Sequence, residues 1–260
     1  MIFFGILKIR KNFTGTHMSF YARHNKRTYV IEGNIGAGKS TFLSLVEKYL
    51  LVDPIFEPHD QWQTVGNGEN LLEKFYTDTQ RWAYTFQTYA FVTRVLAQEE
   101  RFVKSSHNEF VLERSVFSDR YCFAKNCYEM GIMSALEWQL YQDWFSWLVD
   151  RYTVRPSGFI YLQTDPTICH ERMAIRSRQE ESTVSLDYLQ RLHEKHEDWL
   201  IGKNGIPASL AEVPVLVLDC NKDFEHDEAE QRKHMKAISD FFGFPFKQQS
   251  NTQDVLNLVL

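Results

Sequence analysis

Along the chain, short apolar runs bounded by polar or glycine-containing turns alternate with longer stretches in which apolar positions recur every three or four residues. Runs of the first kind read as buried strands, and stretches of the second kind as amphipathic helices. The runs at 28–32, 51–56, 110–112, 158–163 and 213–218 predict five strands. The periodic stretches at 40–50, 69–78, 80–105, 118–130, 134–152, 166–175, 186–200 and 225–242 predict helices between and after them. Apolar strands joined by crossovers long enough to hold a helix call for a five-stranded parallel sheet with helices on both faces, an α/β fold. The helices between the second and third strands form a large insertion, and no repeat or low-complexity segment interrupts the pattern.

The turn after the first strand adds chemistry to this architecture. Gly33-Asn34-Ile35-Gly36-Ala37-Gly38-Lys39-Ser40, followed by Thr41, fits G-x-x-x-x-G-K-[ST]. In such a loop backbone N–H groups wrap phosphate oxygens, the lysine supplies a point charge and the hydroxyl can ligate Mg²⁺. Strand, glycine turn and helix N-terminus in that order are the setting the motif requires. Asn221-Lys222-Asp223 looks like a GTPase base-recognition motif, but the aspartate needed next is Phe224, which argues against a GTP switch.

Composition narrows the partners. With 260 residues and 43% hydrophobic content the chain suits one well-buried domain, placed at 28–244. Its 29 basic and 34 acidic residues give no overall attraction to nucleic acid, so a small-molecule substrate is expected. Cys122, Cys127, Cys169 and Cys220 are scattered, which indicates neither a zinc site nor a disulfide framework, and no apolar run is long enough to span a membrane. Residues 1–27 carry Lys8, Arg10, Lys11, Arg23, Lys26 and Arg27 without one acid. That composition is either a mitochondrial transit peptide or a disordered basic tail, so mitochondrion and cytoplasm both stay open. Residues 245–260 read as a C-terminal tail.

Three clusters surround the phosphate loop in this reading. Glu57, at the carboxyl end of the second strand, is placed either as a general base on an attacking hydroxyl or as an ordinary strand-end carboxylate. A guanidinium such as Arg114 would keep it ionised. Glu113 closes the third strand, as a Mg²⁺-associated acid does in phosphate-binding folds, and Arg114 can face charge on the transferred group. Arg172 and Arg176 lie one helical turn apart with Arg178 just beyond, a set that reads as a lid over phosphates and mobile until they arrive. Trp62, Phe75, Tyr76, Phe86 and Phe123 come from segments that can border one crevice, where aromatic faces hold a base, and Gln87 can pair with its edge.

Together these residues resemble the deoxyribonucleoside kinases, in the branch that contains animal deoxycytidine and deoxyguanosine kinases. The resemblance runs from about residue 28 to 242 and is carried by Gly33 to Thr41, Glu57-Pro58, Phe86-Gln87-Thr88-Tyr89, Glu113-Arg114-Ser115, Asp119-Arg120-Tyr121, the three lid arginines and Leu218-Asp219. It implies the phosphate-loop kinase fold, ATP as phosphate donor with Mg²⁺, a deoxynucleoside accepting phosphate at its 5′-hydroxyl, and a homodimer. By the same resemblance Glu57 is the base, Lys39 and Ser40 serve phosphates and metal, Glu113 supports the metal, and Arg114 lies near the acceptor's 5′ end. Tyr76 and Glu181 match residues on the 3′-hydroxyl, Leu72 joins the aromatic lining, and Asp223-Phe224 resembles the loop over the ATP adenine. Ala90, Arg94 and Asp119 match positions that separate enzymes for cytosine and purine nucleosides from those for thymidine. The family often has Ala at the place of Gly36, a difference expected to be harmless. Two alternatives remain: a nucleoside monophosphate kinase, which would need more basic residues for its acceptor, and a catalytically silent kinase-like subunit of a mitochondrial complex.

Overall fold

A computed structural model describes residues 26–248. The expected leader and most of the C-terminal tail, residues 1–25 and 249–260, lie outside the described residues. β1 (Arg27–Glu32) runs into the phosphate loop and α1 (Lys39–Tyr49), and β2 (Asp53–Ile55) follows. The insertion comprises α2 (His59–Gln63), α3 (Leu71–Thr77) and α4 (Thr79–Lys104) and ends at β3 (Glu109–Glu113). Next come α5 (Val116–Ser118), a π-helical turn (Asp119–Ala124), α6 (Lys125–Glu129) and α7 (Ala135–Tyr152). β4 (Gly158–Gln163), α8 (Pro166–Arg176), a 3₁₀ turn (Gln179–Thr183) and α9 (Leu186–His196) lead into a second π-helical turn (Glu197–Ile201). The short α10 (Ala208–Ala211), β5 (Val215–Asp219) and α11 (Glu228–Phe242) complete the described chain.

The five strands are all parallel, in the order β2-β3-β1-β4-β5. β1 sits in the middle and its residues from Thr28 to Glu32 are all buried, which is why its sequence is a continuous apolar run rather than an alternating one. β1 feeds β2 on one side of the sheet and its neighbour β3 feeds β4 on the other, so the crevice at the carboxyl ends of β1 and β3 is the topological switch point where open α/β sheets take ligands. Ile31 pairs with Glu113 in register, which brings the end of β3 beside the start of the phosphate loop.

Local chemistry fixes the helix ends. The Asp165 carboxylate accepts from Thr167 N at 2.8 Å with Pro166 at the first helical position of α8, and Ser134 with Glu137 forms a reciprocal capping box on α7. The pattern predicts one helix over 118–130, but the structure widens it into a π turn at Asp119, and the helix expected over 186–200 ends the same way at Glu197. β2 is shorter than expected, three residues instead of the run 51–56.

Candidate functional site

Glycine geometry makes the loop after β1 possible. Gly36 and Gly38 have φ of 79° and 86°, and Gly38 is the residue on which α1 begins. Gly36 is less free than its sequence suggests, because a Cβ there would stand 2.2 Å from the carbonyl oxygen of Cys169. An alanine at this place would require α8 to move. Asn34 ties the loop to α9 through Nδ2 to Leu189 O at 2.8 Å, and its own carbonyl accepts from Lys39 Nζ at 2.6 Å. Burial lowers the Lys39 ammonium to about 7, with Arg114 adding to the shift and Glu113 and Glu57 opposing it.

The Ser40 hydroxyl donates to Glu113 Oε1 at 2.6 Å, so the helix start and the end of β3 present two hard oxygen ligands side by side. Among the described residues no group of three or more His, Cys, Asp or Glu side chains is arranged to hold a metal on its own. A pair of oxygens next to a phosphate loop is the donor set that suits Mg²⁺, which keeps waters and phosphate oxygens as its other ligands.

From β2 the chain delivers Glu57, whose side chain is 7% exposed. Its Oε1 accepts from Arg94 Nη2 at 2.7 Å, its Oε2 lies 2.8 Å from His59 Nε2, and Arg114 Nε stands 3.6 Å from Oε1. Burial alone would raise this carboxyl, but Arg94, His59 and Arg114 outweigh it and hold it well below the usual carboxylate range. Arg114 was the expected partner; Arg94, reaching in from α4, is the closer one. Arg94 is clamped by Asp119, with Nε to Oδ2 at 2.9 Å and Nη2 to Oδ1 at 3.1 Å. Burial pushes the Asp119 carboxyl up against the pull of Arg94.

The helical period of α4 places Phe86, Gln87, Ala90 and Arg94 on one inward face. Phe86 stacks on Phe75 with ring centroids 4.7 Å apart and meets the edge of Trp62, whose indole N–H donates to Thr93 Oγ1 at 2.9 Å. Across the space, Phe123 from the π turn lies under the Arg114 guanidinium at 4.7 Å. Arg114 itself has φ 62°, a left-handed conformation held where β3 turns into α5. The Tyr76 hydroxyl is raised, first by burial and then by Glu181.

The lid arginines do not act as one face. Arg172 donates to the carbonyl of Lys222 at 2.9 Å and packs its guanidinium 5.4 Å from the Phe224 ring. Arg176 and Arg178 instead pair with Glu181, and α2 and α3 latch the same segment through Gln63 and Asn70 to Glu180. Arg114 Nη1 and Arg172 Nη1 are buried donors without a partner, a feature of a site that takes an anion. Phe224 is buried against Phe42 and the phosphate loop, and the Asp223 carboxylate caps the turn after it through Glu225 N at 2.8 Å.

These groups enclose one cavity of about 820 Å³. It is lined by Ile35, Gly36, Gly38, Lys39, Ser40 and Thr41 of the loop, and by Glu57, Trp62, Leu72, Phe75, Tyr76, Phe86, Gln87, Ala90, Arg94, Glu113, Arg114, Asp119 and Phe123. Arg172, Arg176, Arg178, Glu181, Asp223 and Phe224 close it. Gly33, Asn34 and Ala37 are buried in the loop and do not line it. His59, Glu171 and His226 line it without having been singled out from the sequence, and so does Asn221, which the sequence offered only as part of an incomplete GTPase motif. His59 was within reach of sequence reasoning, since it stands two residues past Glu57.

A family model described as deoxynucleoside kinase matches residues 29–242. The chain is 41% identical to deoxycytidine kinase 2 of Gallus gallus, an alignment covering 83% of this chain and 90% of that one. It is 40% identical to the deoxycytidine kinase of Homo sapiens over 75% of this chain and 84% of that one. With the mitochondrial deoxyguanosine kinase of Xenopus laevis it shares 36% identity, over 82% of this chain and 89% of that one. Among the described residues no helix is long and apolar enough to cross a membrane.

Proposed function

The chain belongs to the deoxynucleoside kinase family of phosphotransferases, and from that premise we propose that it moves the γ-phosphoryl group of ATP to the 5′-hydroxyl of a deoxynucleoside whose base carries an amino group. The observation that carries the reading is the shared cavity. An aromatic-lined base pocket, an ionised carboxylate and a phosphate loop with two metal-ligating oxygens open onto the same 820 Å³. In this reading Phe75, Phe86, Trp62, Leu72 and Phe123 enclose the nucleoside, Gln87 pairs with the base edge, and Tyr76 and Glu181 take the 3′-hydroxyl. Glu57 accepts the proton of the 5′-hydroxyl as that oxygen attacks. Arg114, with a free buried N–H, faces the charge on the moving phosphoryl group, and Lys39 holds the phosphates from the other side.

The backbone N–H groups of the loop, Thr41 and the start of α1 bind the donor phosphates, while Arg172, Phe224 and Asp223 border its base. Ser40 and Glu113 would hold Mg²⁺, whose contribution when bound is to neutralise charge on the bridging phosphate oxygens. Arg176 and Arg178 reach the phosphates once they exchange Glu181 for them. The family membership and this complete set of groups do not favour a silent structural subunit, which would have no use for it.

Base choice follows from Ala90, Arg94 and Asp119. The Asp119 oxygens have lone pairs left beside the Arg94 clamp and can accept from an exocyclic amino group, whereas thymine offers a carbonyl and a methyl there. A buried polar mismatch costs about 1–3 kcal/mol, so deoxycytidine or a purine deoxynucleoside should exceed thymidine by roughly tenfold to hundredfold. Steady-state phosphorylation of the four common deoxynucleosides with ATP and Mg²⁺, beside Glu57→Gln, tests both points. Activity on an amino-bearing base that disappears in the variant is expected; equal turnover of thymidine would overturn the base assignment, and full activity of Glu57→Gln the role of Glu57.

We also propose that two copies associate through α4 and α7, where Leu96, Val103, Leu136, Leu140, Trp144 and Trp147 are exposed.

A further inference from the structure

The Glu57 carboxylate is held at both oxygens, and only one of the two holders belongs to the machinery described so far. Arg94 donates to Oε1 at 2.7 Å, and His59 Nε2 stands 2.8 Å from Oε2. A carboxylate oxygen can only accept, so Nε2 is the ring nitrogen that carries hydrogen toward Glu57. Nδ1 is buried and has no partner, and the Arg178 guanidinium, 3.5 Å from Nε2, is itself a donor and offers that nitrogen nothing to donate to. The ring is placed by its packing instead. His59 N donates to Glu57 O at 2.8 Å, which folds the backbone back on itself, and the imidazole meets the Trp62 indole edge-on with centroids 5.0 Å apart.

The last torsion of a glutamate is broad, so contacts must set the direction of its lone pairs. With Arg94 alone the carboxylate can pivot about Oε1. A second donor at Oε2 removes that freedom. We propose that His59 is a positioning residue for phosphoryl transfer, its Nε2–H fixing the plane of the Glu57 carboxylate so that a free lone pair meets the acceptor hydroxyl. This rests on the reading of Glu57 as the base. His59 touches neither the phosphate loop nor the metal-ligating pair, and its one neighbour among the donor-binding groups, Arg178 at 3.5 Å, is a fellow donor that it cannot hold, so its effect is expected in the transfer step.

The test compares His59→Leu, His59→Gln and His59→Asn with the parent and with Glu57→Gln, in steady-state kinetics over both substrates, with melting temperatures read alongside. Leucine keeps an apolar contact for Trp62 and removes the donor. Glutamine carries an N–H donor at about the reach of Nε2, and asparagine one at about the reach of Nδ1. His59→Leu and His59→Asn are expected to lose roughly tenfold to hundredfold in kcat, the scale of a misplaced catalytic group, with KM for ATP unchanged within about twofold. His59→Gln should recover most of that loss. If His59→Leu does not fold, the Gln and Asn pair decides alone.

Parental kcat in all three variants, or equal losses in Gln and Asn, would overturn the inference while an inactive Glu57→Gln left the base reading in place. A loss that appears in KM for ATP would also overturn it. Full activity of Glu57→Gln would instead remove the premise.

Discussion

Glu32 ends β1 one residue before the phosphate loop, and its side chain is fully buried. Ser115 Oγ donates to its Oε1 at 2.6 Å, which joins the ends of β1 and β3 beneath Arg114, while Oε2 has no partner. Burial raises this carboxyl to about 7, against the opposing pull of Arg114, Ser115, Ser118 and Arg94. The sign follows from linkage. Between the unfolded value near 4.5 and about 7 the folded protein keeps a proton that the unfolded chain has released, so stability from this group falls as pH rises through that window. A shift of this size corresponds to about 3 kcal/mol. Glu32→Gln removes the titration, so the stability of the parent relative to the variant should drop by about that amount between pH 4.5 and pH 7.5. Denaturant unfolding of both proteins at the two pH values measures it, and a difference that does not move with pH would refute the assignment. Glu57, nearly as buried, shows the opposite outcome: three basic neighbours keep it ionised, whereas Glu32 has hydroxyls and more distant guanidiniums.

At the scale of elements, the loop and α1 depend on one backbone conformation. Gly38 opens α1 at φ 86°, and a Cβ there would stand 2.6 Å from the Cζ atom of Phe224. Left-handed backbone costs a residue with a side chain about 1–2 kcal/mol. Gly38→Ala should therefore fold with a modestly lower melting temperature, but lose the rise in melting temperature that ATP with Mg²⁺ gives the parent. An unchanged ligand shift would show that the loop tolerates the methyl group. The same elements show what was legible beforehand. β1, β4 and α1 stand within a residue of where their apolar patterns place them, because each is packed against the sheet core and burial writes itself into the sequence. α2, the 3₁₀ turn over Gln179–Thr183 and the two π turns leave no such trace, since they are short and held by polar contacts such as Gln63 to Glu180. In the site, Lys39 and Ser40 follow from a local motif. The Arg94 to Glu57 contact joins residues 37 positions apart and is written in no periodicity; only family resemblance marked Arg94, and it assigned that residue to the base and not to Glu57.

For the whole molecule, the two longest helices supply the argument. α4 and α7 pack against each other, and each also turns apolar side chains to solvent. On α7 the exposure of Leu136 is 70%, of Trp144 49% and of Trp147 45%, and on α4 Val103 stands at 70%. Isolated apolar residues on a surface need no explanation, but two indoles with edge-to-face centroids 6.3 Å apart, beside leucines on the same helix, have the composition of an interface core. α4 also carries Phe86, Gln87 and Arg94 on its inner face, so a partner seated on its outer face would stiffen the wall of the nucleoside pocket. The parent protein is expected at twice its 30.7 kDa in light scattering at micromolar concentration. Introducing charge with Trp144→Glu and Trp147→Glu together should yield the monomer mass, because two carboxylates cannot be desolvated against apolar side chains without a partner. The outer face lies away from Lys39, Ser40 and Glu57, so the monomer should keep the ATP-dependent rise in melting temperature while KM for the nucleoside increases. A parent that is monomeric throughout the accessible concentration range would rule out this interface, and a dimer that survives both substitutions would place it on another face.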